Sequence, residues 1–406
     1  MSQLDQLRAL LSQIAGTNPF YTPRLAVAGV GKDLEVLDEF SARMPFTTKT
    51  ELIADQAANA PYGTNLTFPI ERYSRFCQTT GTTGKPLIWL DTSESWDWML
   101  GNWRHIYSGA GVGIGDRVYF AFSFGPFLGF WTAFEAATRM GMLCLPGGGL
   151  GTTARLRAMM EHAATVLCCT PTYALHLAET AAQEQIDLCQ SSVRTIIVAG
   201  EPGGSLPHVR ERISAGWGGA AVFDHYGMTE VGPVAWQETA TPDALRVIEE
   251  SYFAEIIDPV TGAQTTTGEV GELVLTTLGR VSSPLLRYRT GDLVRRNPNL
   301  EGFALDGGII GRVDDMIFVR GVNLYPSAID AIVRSVPEIL EYRVDVSRRG
   351  VMAEVAIQIE SDTPLPAGQL QRALSDAFSL RIPVETVQPG TLPRFEMKAR
   401  RWSFRN

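Results

Sequence analysis

Residues 165–200 read TVLCCTPTYALHLAETAAQEQIDLCQSSVRTIIVAG, and this run decides the architecture. Thr165–Cys169 is a short apolar stretch without polar alternation, the pattern of a strand buried on both faces. Tyr173–Gln185 follows with helical apolar spacing, and Val193–Ala199 is a second short apolar strand. Strand, helix of ten or so residues and strand make a βαβ unit, so a sheet with helices on both faces is expected.

The same alternation continues on both sides of the run. Upstream, Val118–Phe122 reads as a strand, Gly129–Met140 as a helix, Met142–Leu145 as a strand ended by Pro146 and three glycines, and Thr153–His162 as a helix. Downstream, Leu206–Ala215 is helical and Ala220–Phe223 a strand. Before about Tyr62 the chain is mostly helical, with breaks at Asn18–Pro19 and Met44–Pro45. After Ala254 it turns rich in strands and turns, with a strand at Glu269–Thr276. The last 95 or so residues read as a separate small unit: helices over Asp330–Val336 and Gly368–Leu380 around a strand at Val351–Glu360.

The chain has 406 residues, which suits two or three domains. Hydrophobic residues make up 45% and charged residues 19%, the balance of a packed protein rather than a disordered one. The net charge of −9 lacks the basic footprint of a general nucleic-acid binder, so any anion must be held by a local site. Five cysteines, Cys77, Cys144, Cys168, Cys169 and Cys189, form no C-x-x-C pair and point to free thiols in a reducing, cytoplasmic setting. Asp5 and Arg8 interrupt the first apolar stretch, which makes it a poor signal peptide. The longest uncharged run, Val118–Phe134, is short for a bilayer span and carries Ser123, Gly125, Pro126 and Gly129, so no membrane segment is expected.

Five segments carry the chemistry. Thr79-Thr-Gly-Thr-Thr-Gly-Lys-Pro86 is dense in glycine and hydroxyls and ends in a lysine, suited to turning backbone N–H groups toward an anion. It is not a Walker A loop: Pro86 stands where Ser or Thr is needed, and Leu87–Leu90 reads as a strand rather than a helix. Taken alone it also fits a hairpin tip. Asp224-His-Tyr-Gly-Met-Thr-Glu230 lies just past a predicted strand, where open α/β sheets bind ligands. Tyr226 offers a flat face for a base and Glu230 a hard oxygen for Mg2+, although an aromatic–glycine turn is an equally plain reading. Upstream and apart from these five, Ala199-Gly-Glu-Pro202 is another glycine turn at a strand end. Arg287-Tyr-Arg-Thr-Gly-Asp292 sets a carboxylate after a glycine, fit for a ribose diol or for a salt-bridged turn. Gly311-Arg-Val-Asp-Asp315 through Asn323 sits at the junction of the large and small parts, and Arg394–Arg405 is a basic tail.

Together and in this order, these segments resemble the adenylate-forming superfamily of acyl-CoA synthetases, adenylation domains and luciferases, with wording most similar to the phenylacetate–CoA ligase branch. Pro45-Phe-Thr-Thr-Lys49 and Pro61-Tyr-Gly63 look like that branch's N-terminal segment, and the resemblance runs from about residue 15 to 402. It implies an α/β enzyme with a large N-terminal adenylation domain of layered sheets, residues 1–313, and a small mobile C-terminal α+β domain, residues 314–406. Thr79, Thr80, Gly81, Thr82, Thr83, Gly84 and Lys85 would cradle ATP phosphates, and Gly200, Glu201 and Pro202 would flank the adenine. Tyr226, within Tyr226-Gly227-Met228-Thr229, would stack on the base with Asp224 near its amino group. Glu230 would hold Mg2+, Asp292 the ribose hydroxyls, and Arg312 would lie near the adenylate phosphate. Asp314 would be the hinge, and Lys398 would bridge the carboxylate and α-phosphate, although Met397 stands where the family usually has glycine. Phe124, Phe127, Gly147, Gly148 and Met228 would line the acyl pocket.

The implied reaction is AMP-forming acid–thiol ligation, with ATP, Mg2+ and coenzyme A as cofactors, a carrier-protein phosphopantetheine as the alternative acceptor, and an aryl or arylacetic acid as substrate. A stand-alone adenylation enzyme is the second enzymatic reading. A nucleotide-binding regulatory relative is the non-enzymatic one, and Lys398, Glu230 and Asp292 argue against it. A homodimer is compatible; nucleic acid and membrane are not expected partners.

Overall fold

The computed structural model describes residues 1–79, 86–315, 317–319, 322–349, 352–395 and 399–405. Four helices come first: α1 (Gln3–Ile14), α2 (Tyr21–Ala28), α3 (Leu37–Arg43) and α4 (Lys49–Ala58). Ser2 and Asp5 form a reciprocal capping box at α1, and Thr48 and Glu51 another at α4. Leu7, Leu10, Leu11 and Ile14 fall on one face of α1 and bury it in a cluster that includes Leu278 and Leu286. The hairpin strands β1 (Tyr73–Gln78) and β2 (Ile88–Thr92) flank the Gly/Thr loop, and α5 (Ser93–Gly109) follows.

The alternating region then runs β3 (Arg117–Phe120), α6 (Leu128–Arg139), β4 (Leu143–Pro146), α7 (Thr152–Glu161), β5 (Val166–Cys169), α8 (Pro171–Gln183), β6 (Thr195–Val198), α9 (Pro207–Gly216) and β7 (Ala221–Met228). Next come β8 (Gly232–Glu238), β9 (Thr241–Val247), β10 (Tyr252–Ile257), β11 (Val270–Thr277), β12 (Tyr288–Arg295), β13 (Ala304–Asp306) and β14 (Gly311–Arg312). The C-terminal part holds β15 (Ile317–Val319), β16 (Val322–Leu324), α10 (Pro326–Arg334), β17 (Glu341–Arg349), β18 (Met352–Glu360), α11 (Leu365–Phe378), β19 (Val384–Val387) and β20 (Trp402–Arg405).

The main sheet has eight strands in the order β13-β9-β8-β7-β6-β5-β3-β4. Its β4-β3-β5-β6-β7 half is parallel, as the βαβ pattern requires. All four residues of β5 are buried, and they alternate between two cores: Val166 and Cys168 enter one cluster, Leu167 and Cys169 the other. A second sheet is ordered β10-β11-β12-β14. The C-terminal domain is a mixed sheet, β19-β18-β17-β20, with its own apolar cluster from Ile317 to Ile382.

Two sequence expectations need correction. The strand expected to end at Phe223 continues as β7 to Met228, so Asp224–Met228 lies on the strand rather than past it. The strand-rich region starts with β7 and β8, not after Ala254. Both errors have one cause. Asp224 and His225 are polar residues in strand positions, and they hide the apolar run even though β8 pairs with the strand through Met228. Among the described residues, no helix is long and apolar enough to cross a membrane.

Candidate active site

The end of β7, the middle of β12 and the strand β14 meet at one carboxylate. Asp292 on β12 is 6% exposed. Its Oδ2 accepts the Tyr226 hydroxyl at 2.5 Å, and its Oδ1 accepts Arg312 Nη1 at 2.9 Å. Arg312 also forks onto Asp314, with Nε to Oδ1 at 2.8 Å and Nη2 to Oδ2 at 3.1 Å. Register explains the approach, because Asp292 pairs with Arg312 across β12 and β14. Gly291 has φ of +75°, and a Cβ there would stand 2.8 Å from Arg312 Nη2, so glycine is needed in the turn that lets Arg312 reach over. Burial and the neighbouring Asp292 carboxylate push the Tyr226 phenol up, which keeps it a donor. Burial opposes the charge on Arg312, but Asp292 and Asp314 hold its guanidinium firmly protonated.

Glu230 lies just beyond β7 and is 4% exposed. Its Oε1 is 3.2 Å from Lys49 Nζ, at the first turn of α4. Its backbone carbonyl accepts Arg280 Nη1 at 2.5 Å, and Thr229's carbonyl lies 3.4 Å from the same nitrogen. Arg280 is in turn held by both oxygens of Asp91, at 2.8 and 2.6 Å. Asp224 is buried beside Ser205, whose hydroxyl donates to Oδ2 at 2.6 Å, while the Asp224 N–H donates to Gln237 Oε1 at 3.0 Å. Burial pushes its carboxyl up to about 7. Gly227 runs against the partner strand, where a Cβ would meet Gly232 O at 2.8 Å. Met228 Sδ is 3.6 Å from the Tyr226 hydroxyl.

Gly200, two residues past β6, has φ of +91°, and Glu201 and Pro202 follow it. Both oxygens of Glu201 are used: Oε1 accepts Thr172 N–H at 2.8 Å and Oε2 accepts Ala399 N–H at 2.9 Å. Thr79 closes the hairpin, its N–H donating to Leu87 O and its Oγ1 accepting Leu87 N–H, both at 3.0 Å. Thr80, Gly81, Thr82, Thr83, Gly84, Lys85 and Lys398 lie outside the described residues.

The aromatic segment after β3 forms a continuous group. Phe122 and Phe130 stack at 4.2 Å, Phe124 contacts Trp131 and Phe134 at 4.9 and 5.4 Å, and Phe127 joins through Phe130 at 5.9 Å. The Gly147–Gly148 turn lies against it: a Cβ on Gly147 would meet Phe120 O at 2.8 Å, and one on Gly148 would meet Phe124 at 3.4 Å. Met228 and Phe124 pack on the same apolar core.

Several residues at this site carry no motif signal. Ser205, Arg280 and Asp91 are brought around Asp224 and Glu230 only through the fold, and Lys49, the last residue of the Pro45–Lys49 segment, gains Glu230 as its partner the same way. The one available clue was Asp91, a charge inside the otherwise apolar run of β2.

The AMP-binding enzyme family profile matches residues 67–280, and the profile for the AMP-binding enzyme C-terminal domain matches residues 321–403. The phenylacetate-coenzyme A ligase of Pseudomonas putida is 31% identical, with 98% of this chain and 92% of that protein covered. The phenylacetate-coenzyme A ligase of Escherichia coli (strain K12) is 30% identical with the same coverage of both chains. Among solved structures, 2-hydroxyisobutyryl-CoA ligase in the postadenylation state with 2-HIB-AMP superposes with a TM-score of 0.92 at 27% identity, covering 99% of this chain and 89% of that one. The same ligase with 2-HIB-AMP and CoA in the thioesterification state gives 0.74 at 28% identity, covering 99% and 88%. The two domains described here therefore share the arrangement of the postadenylation structure.

Proposed function

The chain belongs to the AMP-binding enzyme family of adenylate-forming acid–thiol ligases, and from that membership we propose that it activates an aryl or arylacetic acid and transfers it to coenzyme A. The observation that carries this reading is the meeting of three separated motifs at Asp292, where Tyr226 and Arg312 converge on one buried carboxylate. Such a group suits a nucleotide: a phenol face for the base, a carboxylate for ribose hydroxyls and a cation for the adenylate phosphate.

A carboxylate is a poor electrophile, because its leaving group would be oxide. Its attack on the α-phosphorus of ATP expels pyrophosphate and yields an acyl-AMP whose leaving group is good. The carboxylate is already the nucleophile, so this half needs no general base. What it needs is relief of repulsion between anions. Arg312 supplies a fixed cation beside Asp292, and Lys398 supplies a second, bridging the carboxylate and α-phosphate. Glu230 fits Mg2+, being a buried hard-oxygen ligand already drawn to the Lys49 ammonium. A single protein carboxylate is enough for this metal, since substrate phosphates and water complete its shell. When bound, Mg2+ would neutralise phosphate charge. In the second half the thiol attacks the acyl carbon and AMP leaves. Asp314, two residues past the end of β14, would be the pivot between residues 1–313 and 314–406.

The aromatic group around Phe124 and Phe127, with Met228 and the Gly147–Gly148 turn, supports a flat apolar acid. CoA is favoured over a carrier protein because the phenylacetate-coenzyme A ligases match 98% of the chain, whereas an L-proline–carrier protein ligase matches 41%. The test is acid-dependent pyrophosphate release across a panel, with and without CoA. Arylacetic acids should lead, and CoA should yield the thioester with AMP. Turnover dominated by short aliphatic or strongly charged acids would overturn the substrate reading. Lys398→Ala should lower acyl-AMP formation by about 10²-fold or more while sparing thioester formation from supplied acyl-AMP.

A further inference from the structure

Helix α8 opens Thr170-Pro171-Thr172-Tyr173. Pro171 has no N–H to satisfy, and the Thr170 hydroxyl caps the Tyr173 N–H at 3.2 Å. That leaves the Thr172 N–H, and Glu201 takes it from the β6–α9 connection. A carboxylate at a helix N-terminus is well placed electrostatically, and its second oxygen remains available. That oxygen accepts the N–H of Ala399, the residue next to Lys398.

The same helix reads the C-terminal tail at two further points. Thr172 Oγ1 lies 3.4 and 3.5 Å from Arg401 Nη1 and Nη2, and Arg401 is forked onto Glu341 of the C-terminal domain at 2.5 and 3.0 Å. Glu179 accepts Arg394 Nε at 3.1 Å, while Arg394 Nη2 donates to Glu360 at 2.7 Å. Thr172 and Glu179 are seven residues apart, so they share one face of α8 and span about 10 Å. Glu179 holds Arg394 on one side of residues 396–398, while Glu201 holds Ala399 and Thr172 meets Arg401 on the other.

We propose that Glu201 is a positioning residue for Lys398: together with Thr172 and Glu179 it anchors the tail on both sides of that lysine in the arrangement that forms acyl-AMP, and lets go for the thiol step. This rests on the ligase reading above. The chemistry suits a reversible contact. On release, Glu201 keeps its Thr172 partner and the part-buried Ala399 N–H turns to water, so neither side leaves a buried group unpaired. Arg394 and Arg401 likewise keep Glu360 and Glu341 inside their own domain.

Hydrogen exchange on the full chain tests the contact without any substrate. Glu201→Ala should raise exchange at the Ala399 amide by about five-fold or more, with the interior of β17 and β18 unchanged. Unchanged exchange at Ala399 overturns the proposal. In the acid assay, Glu201→Ala should lower kcat for pyrophosphate release by about ten-fold, with KM for the acid within about two-fold. Thioester formation from supplied phenylacetyl-adenylate should hold. Equal loss in both halves overturns the proposal. Glu201→Gln keeps one acceptor oxygen for two N–H groups and should fall between the two. If Glu201→Ala does not fold, Glu179→Gln on the surface of α8 should show the same pattern more weakly, and no effect there counts against the device. Should the wild type release no pyrophosphate with any acid, the ligase reading fails, and the exchange measurement still decides the contact.

Discussion

Asp224 illustrates how much a single residue depends on its surroundings. In the sequence it is one more polar residue beside a tyrosine motif. In the fold it is buried against Ser205 and the Gly204 backbone, where a Cβ would stand 2.3 Å from its carboxyl carbon. Burial pushes its carboxyl up to about 7, against lowering by the Ser205 hydrogen bond. An unfolded Asp titrates near 3.9, so between roughly pH 4 and 7 the native state holds the proton and the unfolded state does not. The stability this provides is full below pH 4 and is lost as pH rises toward about 7. Asp224→Asn is neutral throughout. Relative to wild type it should gain stability from pH 5 to 7, by up to about 1.4 kcal/mol per pH unit, and level off above that. Urea titrations of both proteins at pH 5, 6, 7 and 8 measure the difference; parallel curves would refute the raised carboxyl. Motif residues such as Tyr226, Glu230 and Asp292 were legible because their spacing with glycine is distinctive. Ser205 and Arg280 were not, nor was the pairing of Lys49 with Glu230, because a contact between distant residues leaves no local pattern.

At the scale of elements, the buried pair of Asp91 and Arg280 ties the hairpin strand β2 to the turn after β11. Their side chains are 1% and 0% exposed, and the guanidinium lies 4.9 Å over the Trp89 ring. Burial opposes the charge on Arg280, and Asp91 restores it. The same guanidinium grips the Glu230 carbonyl, so the pair fixes the backbone at the expected Mg2+ carboxylate. Removing one partner strands the other charge in the core. Asp91→Ala should cost about 3–5 kcal/mol in urea unfolding, whereas the double change Asp91→Leu with Arg280→Met should cost less than either single change. Additive losses in the double variant would argue against a coupled pair. Elements of the βαβ region were readable since β5 and β6 are apolar on both faces. The end of β7 was not, because the polar residues Asp224 and His225 occupy strand positions that would have signalled it.

For the whole molecule the decisive quantity is the arrangement of the two domains. The superposition of 0.92 on a postadenylation structure and 0.74 on a thioesterification structure of one ligase shows which arrangement this chain occupies. Asp314 stands between β14 and β15, with its side chain 59% exposed and paired with Arg312, and is the proposed pivot. Proline fixes φ near −65° and restricts the residue before it, so Asp314→Pro should trap one arrangement. Acyl-AMP should still form, while CoA-dependent product falls by at least ~10²-fold. Asp314→Ala, which loses the ion pair but keeps a free backbone, should retain most thioester formation. Equal behaviour of the two variants would place the pivot elsewhere. What the sequence alone determined was the parallel α/β core, the separate C-terminal unit and the ordered set of nucleotide motifs, because periodicity and short spacings are local properties of the chain. Only the tertiary structure decided that Glu201 reaches Ala399, that Arg280 holds Glu230 and that Arg312 closes on Asp292. Those contacts join residues 198, 50 and 20 positions apart, and their geometry is set by how sheets and domains pack rather than by any neighbouring residue.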